Sequence, residues 1–262
     1  MKARLLHRTT RSVSATEAGR LLFERVSPLM NELDAAVRMA GELHGQPSGV
    51  LRVVARRSFG ILHVAPALTS FCKAYPQVAV ELALTETMDL VPGNGMDLVI
   101  RLGRPAEKSS VATRLASDTR LLCASPSYLA QVPPPAGPQD LERHDCLAYR
   151  REYEPAIWVF EEAGRRREVA ITGPLRSNSG EVLRRAALDG MGLALLPDWM
   201  VADDVAAGGL QRCLPELRIY PAGYQAEIYA VHVRQDFVPA KVAAFVSHLQ
   251  RVMANRPGAL SR

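Results

Sequence analysis

The sequence predicts an α/β protein in which one long N-terminal helix precedes a domain of two lobes. Three observations carry this expectation. A narrow apolar seam runs at helical spacing from Leu22 to Leu43; from Gly49 onward short β-branched runs alternate with amphipathic segments; and a late strand, EIYAVHV, reads as a return to the first lobe.

Ser14-Ala-Thr-Glu17 has the S-x-x-E form of a capping box, in which hydroxyl and carboxylate satisfy reciprocal backbone donors, so a helix is expected to begin near Thr16. Leu22, Val26, Leu29, Leu33, Ala36, Ala40 and Leu43 then follow at alternating steps of four and three, the spacing of a coiled-coil seam. Gly45-Gln-Pro47 ends it, and Pro28 is expected to bend the helix without breaking it. Such a helix either lies on the core of its own domain or pairs with a like helix. The flanking charges Arg25, Glu32, Asp34, Arg38 and Glu42 suit pairing.

The α/β part begins with a strand at 49–55, a helix from Phe59 to near Pro76, and strands at 78–84 and 97–102. The run TRLLCAS crosses out of this lobe, and the proline-rich VPPPAGP marks a connection. A second lobe follows, with CLAYR, the hairpin-like IWVFEEAGRRREVAI, the helix GEVLRRAALDG and the strand LALLP. EIYAVHV at 227–233 returns, and PAKVAAFVSHLQRVM closes the chain as an amphipathic helix.

Composition narrows the function. A net charge of +5 permits nucleic-acid or anionic partners. Cys72, Cys123, Cys146 and Cys213 form no C-x-x-C pair, which points to reduced thiols in a cytoplasmic protein, with neither metal nor cofactor expected. No apolar run suits a signal peptide or a membrane span. G-x-S-x-G, H-E-x-x-H and the P-loop pattern are absent, and Gly93-Asn-Gly95 and Gly190-Met-Gly192 fail the dinucleotide fingerprint, so an enzyme is not expected.

The first dozen residues hold Lys2, Arg4, His7, Arg8, Thr9, Thr10 and Arg11, either a solvated basic terminus or a set of phosphate contacts. In sequence, LLHRTTRSVSATEAGRLLFERVSPLMNEL resembles the wing and linker helix of LysR-type transcriptional regulators, with Ala15 where that family more often has leucine. LRVVARRSFG, DLVIRLG, LLCASPSYL and GMGLALLPDWMVADD extend the resemblance to about Met253. It implies a winged helix-turn-helix remnant over 1–15, with Arg8, Thr9, Thr10 and Arg11 touching DNA phosphates, and a dimerisation helix over 16–45. It also implies an effector-binding domain over 49–255 with the fold of a type 2 periplasmic binding protein. Lobe I would take 49–122 and 227–255, and lobe II 123–226. The partners implied are promoter DNA, a small-molecule effector and further copies of the same chain, in a homodimer or homotetramer. Most of the family's helix-turn-helix has no counterpart in these residues, so the alternative expectation is a shortened member that acts by dimerising with full-length relatives.

In a two-lobed domain the ligand lies where strands end and helices begin. Ser58, Phe59 and Gly60 occupy one such junction, beside Arg57, and Asn178 and Ser179 another. Each serine reads equally as a helix cap or as a ligand contact. Arg101 and Gly103, ending DLVIRLG, join them through the resemblance, although Arg101 reads alternatively as a surface partner of Asp97 or Glu107. Tyr149 and Pro197 complete the candidates; Trp199 is expected to pack on its own lobe. Arg57 and Arg101 lean toward a small anion.

Overall fold

In a computed structural model, residues 4–8, 13–26, 29–30, 46–86, 92–93, 95–106, 109–149, 156–162, 164–224, 227–235 and 237–254 are described. Thr9, Thr10, Arg11, Leu33, Ala36, Ala40 and Leu43 lie outside them, as does Glu107.

Strands β1 (Leu6–Arg8) and β2 (Val13–Ala15) form an antiparallel pair in which Leu6 faces Ala15 and His7 faces Ser14. That pairing draws Ser14 into a strand, and the cap falls to Thr16 instead. Its hydroxyl accepts from the Gly19 N–H at 3.0 Å and donates to the Arg4 carbonyl at 2.7 Å. Residues 17–26 and 29–30 are helical. A Cβ on Gly19 would stand 2.0 Å from the Leu5 carbonyl oxygen, so only glycine lets this helix press against the strand pair. Leu22 is half-buried, while Val26 and Leu29 are exposed, as are Leu21, Phe23 and Met30.

Strand β3 (Gly49–Arg56) runs parallel to both β4 (Val78–Thr85) and β5 (Leu98–Leu102). Its Leu51, Val53 and Ala55 turn into the core at the two-residue period of a pleated strand. Between β3 and β4 a helical segment starts at Arg57, passes through one π-turn over Gly60–Val64, and continues as α1 (Ala65–Ala74). The π-turn stands just before Pro66, which has no N–H to give the carbonyl four residues back. The helix thus opens two residues earlier than Phe59.

Strand β6 (Ser110–Ser117) leads to a crossing at 118–119 and then to β7 (Arg120–Ala124). The second unit contains α2 (Pro126–Leu129), β8 (Cys146–Tyr149), β9 (Ile157–Glu162), β10 (Arg165–Ala170) and β11 (Arg176–Ser177). It continues with α3 (Gly180–Leu188), β12 (Leu193–Pro197), α4 (Asp198–Ala206), β13 (Gln211–Arg212) and β14 (Arg218–Pro221). Strand β15 (Glu227–Val233) and α5 (Ala240–Ala254) follow.

Two five-stranded sheets result, ordered β4-β3-β5-β15-β6 and β11-β8-β12-β7-β13, with a separate three-stranded antiparallel sheet β10-β9-β14. Each large sheet has three parallel strands and then one antiparallel strand: β15, which follows the second unit in sequence, and β7, which precedes it. Both crossings therefore run between the same two sheets. Parallel strands buried on both faces read as unbroken apolar runs, and LALLP is buried at every position. One apolar cluster extends from Leu51 and Phe245 through Phe59 and Trp199 to Leu196, so the core continues from one sheet to the other. No helix among the described residues is long and apolar enough to cross a membrane.

Candidate functional site

A cavity of about 110 Å³ opens between the two sheets at the C-terminal ends of their parallel strands. Arg56 reaches it from the end of β3, with Ser58 and Phe59 from the turn that follows. Ile100, Arg101 and Leu102 come from β5, Tyr149 from the end of β8, and Leu195, Leu196 and Pro197 from β12. Trp158, Gly180, Trp199 and Met200 close the second side, and Arg120 stands where the crossing enters β7.

The structure gathers Ser58, Phe59, Arg101, Tyr149 and Pro197 of the expected residues around this cavity. Gly60, Gly103, Asn178 and Ser179 do not line it. Gly60 is buried against β4, where an added Cβ would stand 2.4 Å from Leu84 Cδ2; its role is close packing. Gly103 ends β5 and donates its N–H to the Glu227 carbonyl at 2.8 Å. Asn178 is exposed, two residues before the helix start at Gly180. The two serines part company here. Ser179 is the N-cap of α3, accepting from Val182 N–H at 3.4 Å and donating to Glu181 Oε2 at 2.8 Å. Ser58 lies inside the first helical turn, whose cap position is Arg56, and makes no cap.

Of the neighbours Arg56 and Arg57, it is Arg56 that stands on the wall. Arg57 is half-exposed and pairs with Glu86 at 3.4 Å. The Asp97 carboxylate, one of the alternative partners expected for Arg101, is held by Lys241 Nζ at 3.0 Å and accepts from the Arg52 N–H at 2.9 Å. Trp199 does not pack on its own lobe alone: its indole meets the Phe59 and His63 rings of the first unit edge-on, each at 5.3 Å between centroids.

Two polar links join the sheets beside the cavity. Arg56 Nη2 donates to the Tyr149 hydroxyl at 2.8 Å, and that hydroxyl donates to Glu86 Oε2 at 3.4 Å. Burial pushes the Tyr149 hydroxyl above its ordinary range, and burial likewise raises Glu86 against the pull of Arg56. Tyr149→Phe removes both bonds, and a loss of about 1 kcal/mol in urea unfolding is the expected outcome.

The second link centres on Asp118, which is wholly buried at the β6–β7 crossing. It accepts from Trp199 Nε1 at 2.6 Å and from Arg120 Nη2 at 2.7 Å. Arg120 also lies over the Tyr224 ring at 5.2 Å, and Asp198 N–H donates to the Thr119 carbonyl at 2.8 Å. The crossing is thus fastened to the start of α4.

Burial pushes the Asp198 carboxyl up to about 6, with the neighbouring Asp118 charge adding to the rise and the Trp199 N–H at 2.7 Å opposing it. A carboxyl with a raised folded-state pKa takes up its proton on folding. This group therefore makes the fold more stable as pH falls from about 6 toward its unfolded value of 3.8, and its penalty is complete above 6. Asp198→Asn keeps the acceptor and removes the charge. The variant should gain on the order of 2 kcal/mol relative to the parent at pH 7.5 and little at pH 4, read from denaturant midpoints.

The LysR substrate binding domain family matches residues 44–254. The chain belongs to the LysR family. The HTH-type transcriptional regulator PtxR of Pseudomonas aeruginosa is 33% identical over 258 residues, spanning 98% of this chain and 81% of that protein. The HTH-type transcriptional regulator DmlR of Escherichia coli K12 is 34% identical over 252 residues, 95% of this chain and 80% of that protein. Among solved structures, the full-length virulence activator AphB of Vibrio cholerae superposes with a TM-score of 0.72 at 26% identity, covering 94% of this chain and 83% of that one. The cleft described above lies wholly inside the matched LysR segment. The sequence reading does not reach Arg56, Arg120, Trp158 and Met200; for Arg56 a signal existed, since it stands immediately before Arg57 at the strand-to-helix junction.

Proposed function

We propose that this chain is a transcriptional regulator whose hold on promoter DNA is governed by a small molecule seated between two lobes. The observation that carries the reading is the cavity itself, built from strand ends of both sheets and crossed by two links that tie one sheet to the other. A ligand in that position touches both units at once. If it binds two lobe arrangements with different affinity, it shifts the population between them. The family's regulator relatives support this over a subunit that only sequesters its partners.

In this reading lobe I comprises 49–122 and 227–255, lobe II 123–226, and the domain is of the type 2 periplasmic-binding-protein kind. The β1–β2 pair is the wing of a winged helix-turn-helix over 1–15, with Arg8, Thr9, Thr10 and Arg11 on DNA phosphates. Residues 16–45 form the linker helix. Val26, 39% exposed, and Leu29, 61% exposed, are apolar positions of the expected seam that a second copy would cover. The protein works in the cytoplasm by binding and performs no catalysis.

The test is a gel-shift series with the full-length gene product on the promoter region beside its own gene and on scrambled DNA. The protein is expected to bind that promoter specifically and as an oligomer. Binding no tighter than to scrambled DNA would remove the regulator reading.

A further inference from the structure

This inference rests on the effector reading above and gives the same cleft a second input. We infer that Glu86 and Glu181 form a proton-operated latch between the two units, so that acidity favours the arrangement in which they meet. Glu86 immediately follows β4 in the first unit, and Glu181 is the second residue of α3 in the second. The start of α3 lies against the helical turn that opens after β3: a Cβ on Gly180 would stand 3.6 Å from Ser58 Oγ, in van der Waals contact.

Each carboxylate has one oxygen with a donor and one without. Glu86 Oε2 accepts from the Tyr149 hydroxyl at 3.4 Å and lies 3.4 Å from Arg56 Nη2, while Glu181 Oε2 accepts from the Ser179 hydroxyl at 2.8 Å. Glu86 Oε1 and Glu181 Oε1 are both buried with no hydrogen-bond partner among the described residues. Arg57 Nε approaches Glu86 Oε1 as an ion pair at 3.4 Å, from a side chain that is half-exposed. A buried oxygen without a donor is costly, and two of them at one seam call for an explanation. One proton answers both. A carboxyl O–H on one residue donates to the carboxylate of the other, and the pair then carries one negative charge in place of two.

The groups that face Glu86 are Arg56 and Arg57 of its own unit and Tyr149 and Glu181 of the other. Burial is the largest influence on its carboxyl and raises it above 4.5; Arg56 opposes that rise, the Glu181 charge adds to it, and Arg57 and the Tyr149 hydroxyl oppose it. Arg56 keeps other partners when the proton arrives, since it also donates to the Glu86 carbonyl oxygen and to the Tyr149 hydroxyl. Separation of the units returns both carboxylates to water and to their ordinary range. Closure therefore takes up the proton. Its contribution is complete below 4.5 and is lost as pH rises through the raised value of Glu86.

The experiment reads the distance between the units by energy transfer in the full chain at pH 7.5 and pH 5. Fluorophores are attached at Ser247→Cys on α5 and at Glu216→Cys in the turn before β14, both exposed positions; Cys72→Ser removes the exposed native thiol, and the other three cysteines are buried. Labelled protein is diluted into unlabelled protein so that each assembly carries at most one labelled copy. The transfer efficiency of the parent is expected to shift between the two pH values. Glu181→Gln supplies a permanent donor and keeps an acceptor for the Ser179 hydroxyl, so at pH 7.5 it should already give the parent's acid reading and lose most of the shift. Glu181→Ala removes both and should stay near the parent's pH 7.5 reading throughout. Asp198 and the histidines are the same in all three proteins, so their titration cancels in the comparison, and unchanged circular dichroism checks that each variant folds. A parent distance that ignores pH, or a shift that survives in Glu181→Gln, overturns the latch. Glu181→Ala reading like Glu181→Gln leaves repulsion alone and overturns the shared proton.

Promoter gel shifts with the full-length gene product separate this from the effector reading. If the distances behave as expected while Glu181→Gln binds the promoter as the parent does, the latch stands and control of DNA binding by the cleft falls. If the distance ignores pH while a small organic acid still alters promoter affinity, the latch falls and the effector reading stands.

Discussion

Asp118→Ala is expected to cost about 3–5 kcal/mol of folding stability, the largest loss from any single side chain beside the cleft. The carboxylate is 0% exposed and serves two donors, Arg120 Nη2 at 2.7 Å and Trp199 Nε1 at 2.6 Å. Its removal leaves a guanidinium that is only 12% exposed without its counter-charge and an indole N–H without an acceptor. The Nε of Arg120 is already buried with no hydrogen-bond partner among the described residues, so the group has little left to fall back on. Urea unfolding followed by far-ultraviolet circular dichroism gives the number. Asp118→Asn keeps an acceptor for the indole and loses only the charge, and it should fall between the parent and the alanine variant. Equal stability of all three would mean that the β6–β7 crossing is not held through this residue.

The second large effect lies away from the cleft. Lys241, on α5, is 1% exposed, and its ammonium is held by the Asp97 carboxylate at 3.0 Å and by the Val50 carbonyl. Lys241→Ala deletes a buried stem and strands the partly buried Asp97, and a loss of about 3 kcal/mol is expected. The charge itself is not what stabilises the fold most, because two desolvated ions return little net energy. Lys241→Met combined with Asp97→Asn restores the volume and removes both charges, while the amide oxygen can still accept from the Arg52 N–H. That double variant should recover more than half of the loss in the same unfolding assay.

Much of the chain's local structure was legible because apolar periodicity is set by which face each strand or helix buries. LALLP and EIYAVHV span 193–197 and 227–233 both as read from the sequence and in the structure, and β3 and β4 each extend one residue beyond the reading. The misread capping box has a physical cause: Ser14 could serve either a helix start or a strand pair, and pairing with His7 won. The third small sheet was only half visible, since β14 joins β9 from nearly sixty residues away and no local pattern announces that pairing.

At the cleft, residue type was legible and direction was not. Arg56 ends β3 and Arg57 opens the helical turn that follows, and that junction sends Arg56 to the wall and Arg57 toward solvent. Ser58 and Ser179 looked alike in sequence, and a helix that begins at Arg57 instead of Phe59 separates their roles. Trp199 sits beside a strand end in its own unit, yet its contacts with Phe59 and His63 depend on how the two units meet.

The central claim, that a molecule in this cleft governs transcription, is tested most directly by filling the cleft. Ser58→Trp places an indole in the cavity at a half-buried position without removing a buried hydrogen bond. A reporter driven by the regulator's own promoter, with equal expression of both proteins, would be exposed to a panel of small organic acids that includes benzoate. The account predicts that the parent responds to at least one acid and that Ser58→Trp responds to none. An undiminished response from the filled variant would contradict it.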